Sequence, residues 1–274
     1  MVDSRTEIRA GQRFAFGANW QDFIGTVDET KIKTAIDSLA RALRSPDLTG
    51  RTFLDVGCGS GLFSLAAHRL GAEVRSFDFD AESVAATAEL RARFAPDATW
   101  PIEPGSILDE EYVARLGQHD IVYSWGVLHH TGDLWRALAF VAGLVKPGGL
   151  LFVSVYNDQG LQSRLWRRVK RSYNLTGRVG RTAIVLLSAG YLWRWQPLLR
   201  MIRWFRGGQP PRARGMSVRH DLIDWVGGYP FEVAKPETVF DFLRDRGFEL
   251  QHLKTCAGGL GCNEYVFRAP PQLT

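Results

Sequence analysis

The sequence predicts an α/β protein. Five strand–helix repeats feed a parallel sheet, an antiparallel hairpin closes it, and a helical insertion interrupts it after the fifth strand. Three observations lead there. From residue 52 onward, short apolar runs alternate with helical patterns, as in stacked βα units. The last two apolar runs are separated only by a turn holding Gly258, Gly259 and Gly261, too short for a helix, so they must pair antiparallel. Between the fifth run and this hairpin lies a long segment with neither pattern, rich in Arg and aromatic residues.

Each element has its local reason. Residues 52–56 read as a compact buried strand, and 62–70 as a helix with Leu62, Leu65, Ala66 and Leu70 on one face. Strand 73–77 precedes an Ala-rich helix over 81–93, and a weak strand follows at 100–102. Strand 120–124 leads to a helix over 133–145, stopped by Lys146-Pro147-Gly148-Gly149. Strand 150–155 is apolar nearly throughout, which suits a strand covered on both faces. Near Pro236 the pattern resumes: Pro at a first helical position, Glu237 in the first turn and Gly247 past the end bracket a helix. Strands 248–254 and 263–268 complete a set of seven. Upstream, Phe14, Phe16, Trp20 and Phe23 precede a helical stretch over 29–43.

Composition narrows the class. With 274 residues, 45% hydrophobic and 23% charged, the chain can bury a core and is neither disordered nor collagen-like. Three cysteines, Cys58, Cys256 and Cys262, suggest no disulfide framework and a reducing compartment. The opening residues lack the apolar stretch of a secretory signal, and no apolar run reaches the ~20 residues that span a bilayer. A cytoplasmic protein is expected, with no metal site. The net charge of +5 conceals an asymmetry, because residues 157–215 hold 13 of the 34 Lys and Arg and one acid, Asp158. That segment is +12 and the rest −7, which points to an anionic partner at one place.

The most informative segment is Asp55-Val56-Gly57-Cys58-Gly59-Ser60-Gly61-Leu62, where a strand ends in glycines and a helix begins. Glycines there let backbone amides approach a ligand closely. A dinucleotide loop needs a third glycine where Leu62 stands. Asp55 would repel a pyrophosphate and suits a ligand with a positive end. Asp78, 21 residues after Gly57 at the end of the second strand, can take both hydroxyls of a ribose, and Phe79 can lie on an adenine face.

On these residues the chain resembles the class I S-adenosylmethionine-dependent methyltransferases, nearest the ubiquinone-biosynthesis O-methyltransferase group. Gly105-Ser106-Ile107-Leu108-Asp109, Asp120 to Trp125 with Val127-Leu128-His129-His130, and Lys146 to Gly149 are similar to further motifs of that family. The resemblance implies a Rossmann-like seven-stranded sheet with its last strand antiparallel, and S-adenosylmethionine as cofactor. Asp55, Gly57, Cys58, Gly59, Gly61, Asp78, Phe79, Ser106, Ile107, Ser124 and Trp125 would bind it. Ser106 stands where the family often has an acid, so Asp109 or backbone would meet the adenine amino group. The implied organisation is an N-terminal helical lid (1–50), a cofactor-binding core (51–156 and 233–274) and a basic aromatic cap (157–232).

Methyl transfer is an in-line displacement, so positioning supplies much of the catalysis. A hydroxyl acceptor also needs a base. The resemblance favours His130, with His129 beside it; His220 competes, since Asp221 or Asp224 can orient it. Trp20 as a lid, Tyr156 and Asn157 at the end of the fifth strand, and Trp225 and Tyr229 in an aromatic glycine-containing segment are expected at the acceptor, and Lys33 at the cofactor carboxylate. The expected reaction is O-methylation of a hydrophobic small molecule or lipid-linked intermediate; methylation of tRNA or other RNA, or of a small-molecule nitrogen, is the alternative. Residues 161–206, where Trp166, Tyr173, Tyr191, Trp193, Trp195, Trp204 and Phe205 interleave with Arg, suit either a plain cap or docking at the inner face of a membrane. Their apolar face is too continuous for a simple RNA groove.

Overall fold

The computed structural model describes residues 4–193 and 218–272, and of 193 and 218–221 the backbone alone. Three helices come first, α1 (Ser4–Arg9), α2 (Phe16–Ile24) and α3 (Glu29–Leu43). The sheet region runs β1 (Thr52–Val56), α4 (Leu62–Arg69), β2 (Glu73–Asp78), α5 (Ala81–Phe94), β3 (Ile102–Pro104), α6 (Glu110–Leu116), β4 (His119–Ser124), a 3₁₀ turn at Leu128–His130, α7 (Leu134–Gly143) and β5 (Val145–Tyr156). The insertion contributes α8 (Leu161–Leu175), α9 (Arg178–Trp193) and α10 (Val218–Gly227). Then α11 (Pro236–Arg244), β6 (Glu249–Lys254) and β7 (Cys262–Arg268) return to the sheet. Among the described residues no helix is long and apolar enough to cross a membrane.

The seven strands lie in the order β3-β2-β1-β4-β5-β7-β6. The first five are parallel, and β7 runs antiparallel to both β5 and β6. This is the predicted seven-stranded architecture. Period-two alternation assigns each strand residue to one of two cores. Leu54, Val56, Val122, Leu151, Val153 and Val155 meet α6, α7 and α11, whereas Phe53, Ile121, Tyr123, Leu150 and Phe152 meet α3, α4 and α5. The strand order reverses between β1 and β4, and in open α/β sheets a crevice for ligand forms at the carboxyl ends of such strands.

Several boundaries differ from the sequence reading, and β3 lies at Ile102–Pro104 rather than at 100–102. The stretch 146–149, expected to stop a helix, belongs to β5, because α7 ends at Gly143 and Val145 already pairs with His119 ahead of a register shift. Asp224 and Trp225, in the aromatic glycine-containing segment, are on helix α10. Helices α1, α2 and α6 went unplaced in the sequence reading. Helix α6 is capped by Asp109, whose Oδ1 accepts from Tyr112 N at 3.1 Å, and α2 packs on α5 through Gly17, whose amide donates to Asp80 Oδ2 at 2.9 Å.

The insertion leaves and re-enters the core at one point. Asn157 bridges Ala234, Ala234 N donates to Tyr156 O at 2.9 Å, and Asp158 N donates to Ala234 O at 3.1 Å. The later part of the basic aromatic stretch, with Trp195, Trp204 and Phe205, lies outside the described residues.

Candidate active site

Between β1 and α4 the chain turns on Gly57, Gly59 and Gly61, with φ of 80°, 55° and 75°, a region that L side chains rarely enter. At Gly57 a Cβ would also stand 2.4 Å from Val127 Cγ1. The loop amides, expected to reach a ligand, have partners inside the protein. Those of Gly57 and Cys58 donate to Phe77 O at 2.9 and 3.1 Å, and that of Gly59 to Asp78 Oδ2 at 2.9 Å. The loop is therefore a floor free of bulky side chains, and its first three amides form no anion cradle.

Above this floor lies a cavity of ≈ 940 Å³ at the carboxyl ends of β1, β2 and β4. Its first end is lined by Asp55, Gly57, Cys58, Gly59, Asp78, Phe79, Ser106, Ile107 and Trp125. Asp55 accepts from the Ser64 hydroxyl at 2.5 Å. Burial pushes its carboxyl up to about 7 against that hydrogen bond, and repulsion from Asp78 adds to the rise. Burial likewise lifts Asp78 to about 6, opposed by the amides of Asp80 and Gly59 and by Arg13. Two sequestered carboxyls facing one cavity form an electrostatic deficit that a cationic ligand relieves.

Arg13 was not foreseen. Its guanidinium lies 4.7 Å from the Phe79 ring centroid, donates from Nη1 to His130 O at 2.7 Å, and is held by Glu7 Oε2 at 2.6 Å. The N-terminal segment also supplies Trp20, whose indole crowds Gly59: a Cβ there would meet Nε1 at 2.9 Å. Trp20 thus covers the glycine floor.

The second end of the cavity is aromatic and built from distant segments. Phe14 and Phe16 come from the N-terminus, His130 from the turn after β4, Tyr156 from β5, Asp224 and Trp225 from α10, and Gly261 and Cys262 from the hairpin. Tyr156 meets Trp225 edge-on at 5.0 Å. Asp224 Oδ1 accepts from Asn19 Nδ2 at 2.8 Å, linking α2 to α10. His130 is buried, with Nδ1 2.6 Å from Pro230 O. A carbonyl only accepts, so Nδ1 carries the hydrogen in the neutral ring and Nε2 keeps its lone pair. Burial first, then the charges of Lys170 and Arg13, push the imidazole down to about 3 against the Pro230 hydrogen bond.

Several sequence expectations are corrected. His129 is fully buried against the Tyr156 ring at 3.9 Å and does not line the cavity. Ser124 is buried and donates to Val56 O at 3.0 Å, so it ties β4 to β1. Gly61 faces α5, where a Cβ would meet Thr87 Cγ2 at 2.6 Å. Asn157 braces the hairpin, donating to Gly259 O at 3.3 Å and accepting from Asn263 at 3.1 Å. Tyr229 is absent from the cavity wall; its carbonyl accepts from Phe14 N at 2.9 Å. Lys33 is 77% exposed and pairs with Asp37 on its own helix at 3.5 Å. His220 lies on α10 outside the described side chains. The missed residues Arg13 and Cys262 carried no local motif; Asp224, named only as a partner for His220, stood next to Trp225 in a stretch already marked.

A family model described as a methyltransferase domain matches residues 27–206. Among curated proteins, a ubiquinone biosynthesis O-methyltransferase of Caulobacter vibrioides is 31% identical over 157 residues, 57% of this chain and 53% of the relative. One of Brucella melitensis is 29% identical over 150 residues, 55% and 51% of the two chains. The chain thus spans about half the length of these relatives. Among solved structures, the magnesium protoporphyrin IX methyltransferase of Synechocystis with bound S-adenosylhomocysteine superposes with a TM-score of 0.56 at 17% identity, over 97% of this chain and 100% of that one. A [4+2]-cyclase superposes at 0.53 and 14% identity, over 86% of this chain and 80% of that one; at such identities the likeness is one of fold.

Proposed function

The chain belongs to the methyltransferase family, and we propose that it moves a methyl group from S-adenosylmethionine to a hydroxyl of a hydrophobic small molecule or lipid-linked intermediate. The observation that carries this reading is one continuous cavity. Its carboxylate-bearing glycine floor lies at one end, and a neutral imidazole within an aromatic pocket at the other. The first end fits the cofactor: Asp55 and Asp78 suit its positive charge, Asp78 also its ribose, and Phe79 and Ile107 its adenine. When bound, the cofactor supplies a methyl carbon made electrophilic by a sulfonium. The chain's own residues do the rest. Trp20 and the glycine floor exclude water, Tyr156 and Trp225 orient an apolar acceptor, and His130 takes the hydroxyl proton. An imidazole of such low proton affinity accepts that proton as the new C–O bond forms, when the oxygen turns acidic, rather than beforehand.

The relatives' name, ubiquinone biosynthesis O-methyltransferase, supports an oxygen acceptor on a greasy molecule. The cap supports delivery from a bilayer. Leu161, Val179 and Leu187 are 76%, 86% and 75% exposed on α8 and α9, among arginines with no acid between residues 159 and 220. We propose that this face rests on anionic lipid.

Calorimetric titration with S-adenosylhomocysteine, run beside NADH, tests the cofactor half. Binding of the first alone is expected, and no binding of either ligand would sink the reading. A methyl-transfer screen with quinone precursors, lipid-linked sugars and tRNA then tests the acceptor, and turnover of tRNA alone would overturn the small-molecule assignment. In the same assay His130→Ala should bind S-adenosylhomocysteine like wild type and lose roughly 10²–10⁴ in turnover. Full activity would remove its role as base.

A further inference from the structure

Lys170 on α8 is 0% exposed. Its Nζ donates to Trp225 O, and the rings of Trp225, Phe231 and Tyr156 surround it at 4.5, 4.7 and 5.5 Å. It lies outside the cavity, directly behind two of its wall residues, Tyr156 and Trp225. The same Tyr156 ring also meets His129 and His130, with ring centroids at 3.9 and 5.5 Å. The Trp225 carbonyl is one of the last four of α10, which a helix cannot satisfy itself. Capping it does not require a charge, however. One turn along α8 the neutral amide of Asn174 does that work, donating to Gly227 O at 2.7 Å. A buried ammonium is costly, and aromatic faces offset only part of that cost.

We propose that Lys170 is a positioning residue: from behind the Tyr156–Trp225 wall its ammonium holds the acceptor end of the cavity at positive potential, adding to burial in keeping a proton off His130 and leaving it free to receive the acceptor's proton. The proposal rests on reading His130 as the base. Other groups share the neighbourhood. Asp224 and Cys262 act on Lys170 and favour its charge, while Arg13 adds its own charge to His130. Burial brings Lys170 down to about 7, so its charge changes within the range where the protein is handled.

The test needs no acceptor. Ring-nitrogen NMR of ¹⁵N-histidine-labelled protein, with the His130 signals assigned by their loss in His130→Ala, follows the imidazole against pH. Lys170→Gln keeps a hydrogen-bond donor for the Trp225 carbonyl and removes the charge; Lys170→Arg keeps both. The Gln variant should move the His130 titration upward by roughly one pH unit or more, and the Arg variant should leave it in place. An unmoved His130 in a folded Gln variant would reduce Lys170 to a helix cap. Should the Gln variant not fold, wild type decides: the His130 nitrogens should shift in step with the loss of the Lys170 proton, read from the lysine ¹³Cε signal, and independence of the two would overturn the proposal. Failure of every acceptor in the methyl-transfer screen would weigh against the proposed function and leave this measurement as it stands.

Discussion

Asp55 is the residue whose environment departs most from what a carboxylate prefers. Its folded value of about 7, raised by burial from the ordinary 3.8, means that ionising it disfavours the fold. That penalty is absent below the ordinary value and grows as pH climbs toward 7, so ligand-free protein should lose stability over this range. Asp55→Asn should flatten the loss and melt a few degrees higher than wild type at pH 7.5, because Ser64 can serve an amide as well as a carboxylate. Thermal unfolding at pH 4.5 and 7.5 checks this, and a lower melting point at both would show that the carboxylate is structurally needed. Asp78→Ala should weaken S-adenosylhomocysteine binding by about 10–100-fold, the worth of one or two hydrogen bonds to a charged group. Titration calorimetry reads that directly, and unchanged affinity would take Asp78 out of the site.

At the scale of elements, α2 both packs and covers. Gly17 seats it on α5, where a Cβ would stand 2.4 Å from Glu82 Cβ and 2.8 Å from Asp80 Oδ2. Gly17→Ala should therefore cost about 1–3 kcal/mol of stability. It should also weaken cofactor binding, because Trp20 rides on the same helix; denaturant unfolding beside the calorimetric titration tests both. A variant of wild-type stability would show that α2 adjusts freely. The sheet was legible because strand alternation and glycine punctuation are local signals; α3 was read to the residue, and in the structure Asp28 caps it, accepting from Lys31 N at 2.8 Å. The end proposed for the cofactor was legible for the same reason, since Asp55 to Gly59, Asp78, Ser106 and Trp125 lie at or just beyond the ends of successive strands. The acceptor end was not. Arg13 reaches His130 across 117 positions and Asn19 reaches Asp224 across 205, and no periodicity in a single sequence announces such pairs. Ser124 and Asn157 were misplaced because a polar residue at a strand end serves hydrogen bonds within the fold as readily as a ligand.

At the scale of the whole molecule, charge and chemistry are segregated: the +12 segment over 157–215 is opposed by −7 elsewhere. If the exposed leucines and arginines of α8 and α9 meet lipid as proposed, the protein should co-sediment with vesicles containing anionic phospholipid and not with neutral ones. About 0.5 M salt should release most of it, since screening at that strength acts within a few ångströms. Leu187→Glu should weaken the association without changing S-adenosylhomocysteine affinity; equal binding to neutral vesicles would rule out a charge-led contact. The bridge between Asn157 and Ala234 has a consequence of its own. Because the insertion departs and returns through one pair of neighbouring residues, the sheet meets it as a plug meets a socket. Exchange of everything between those two contacts for a relative's cap should give a chimaera that still folds and holds its methyl donor. Its choice of acceptor would then arrive with the borrowed part, making substrate range an interchangeable component of an otherwise constant machine.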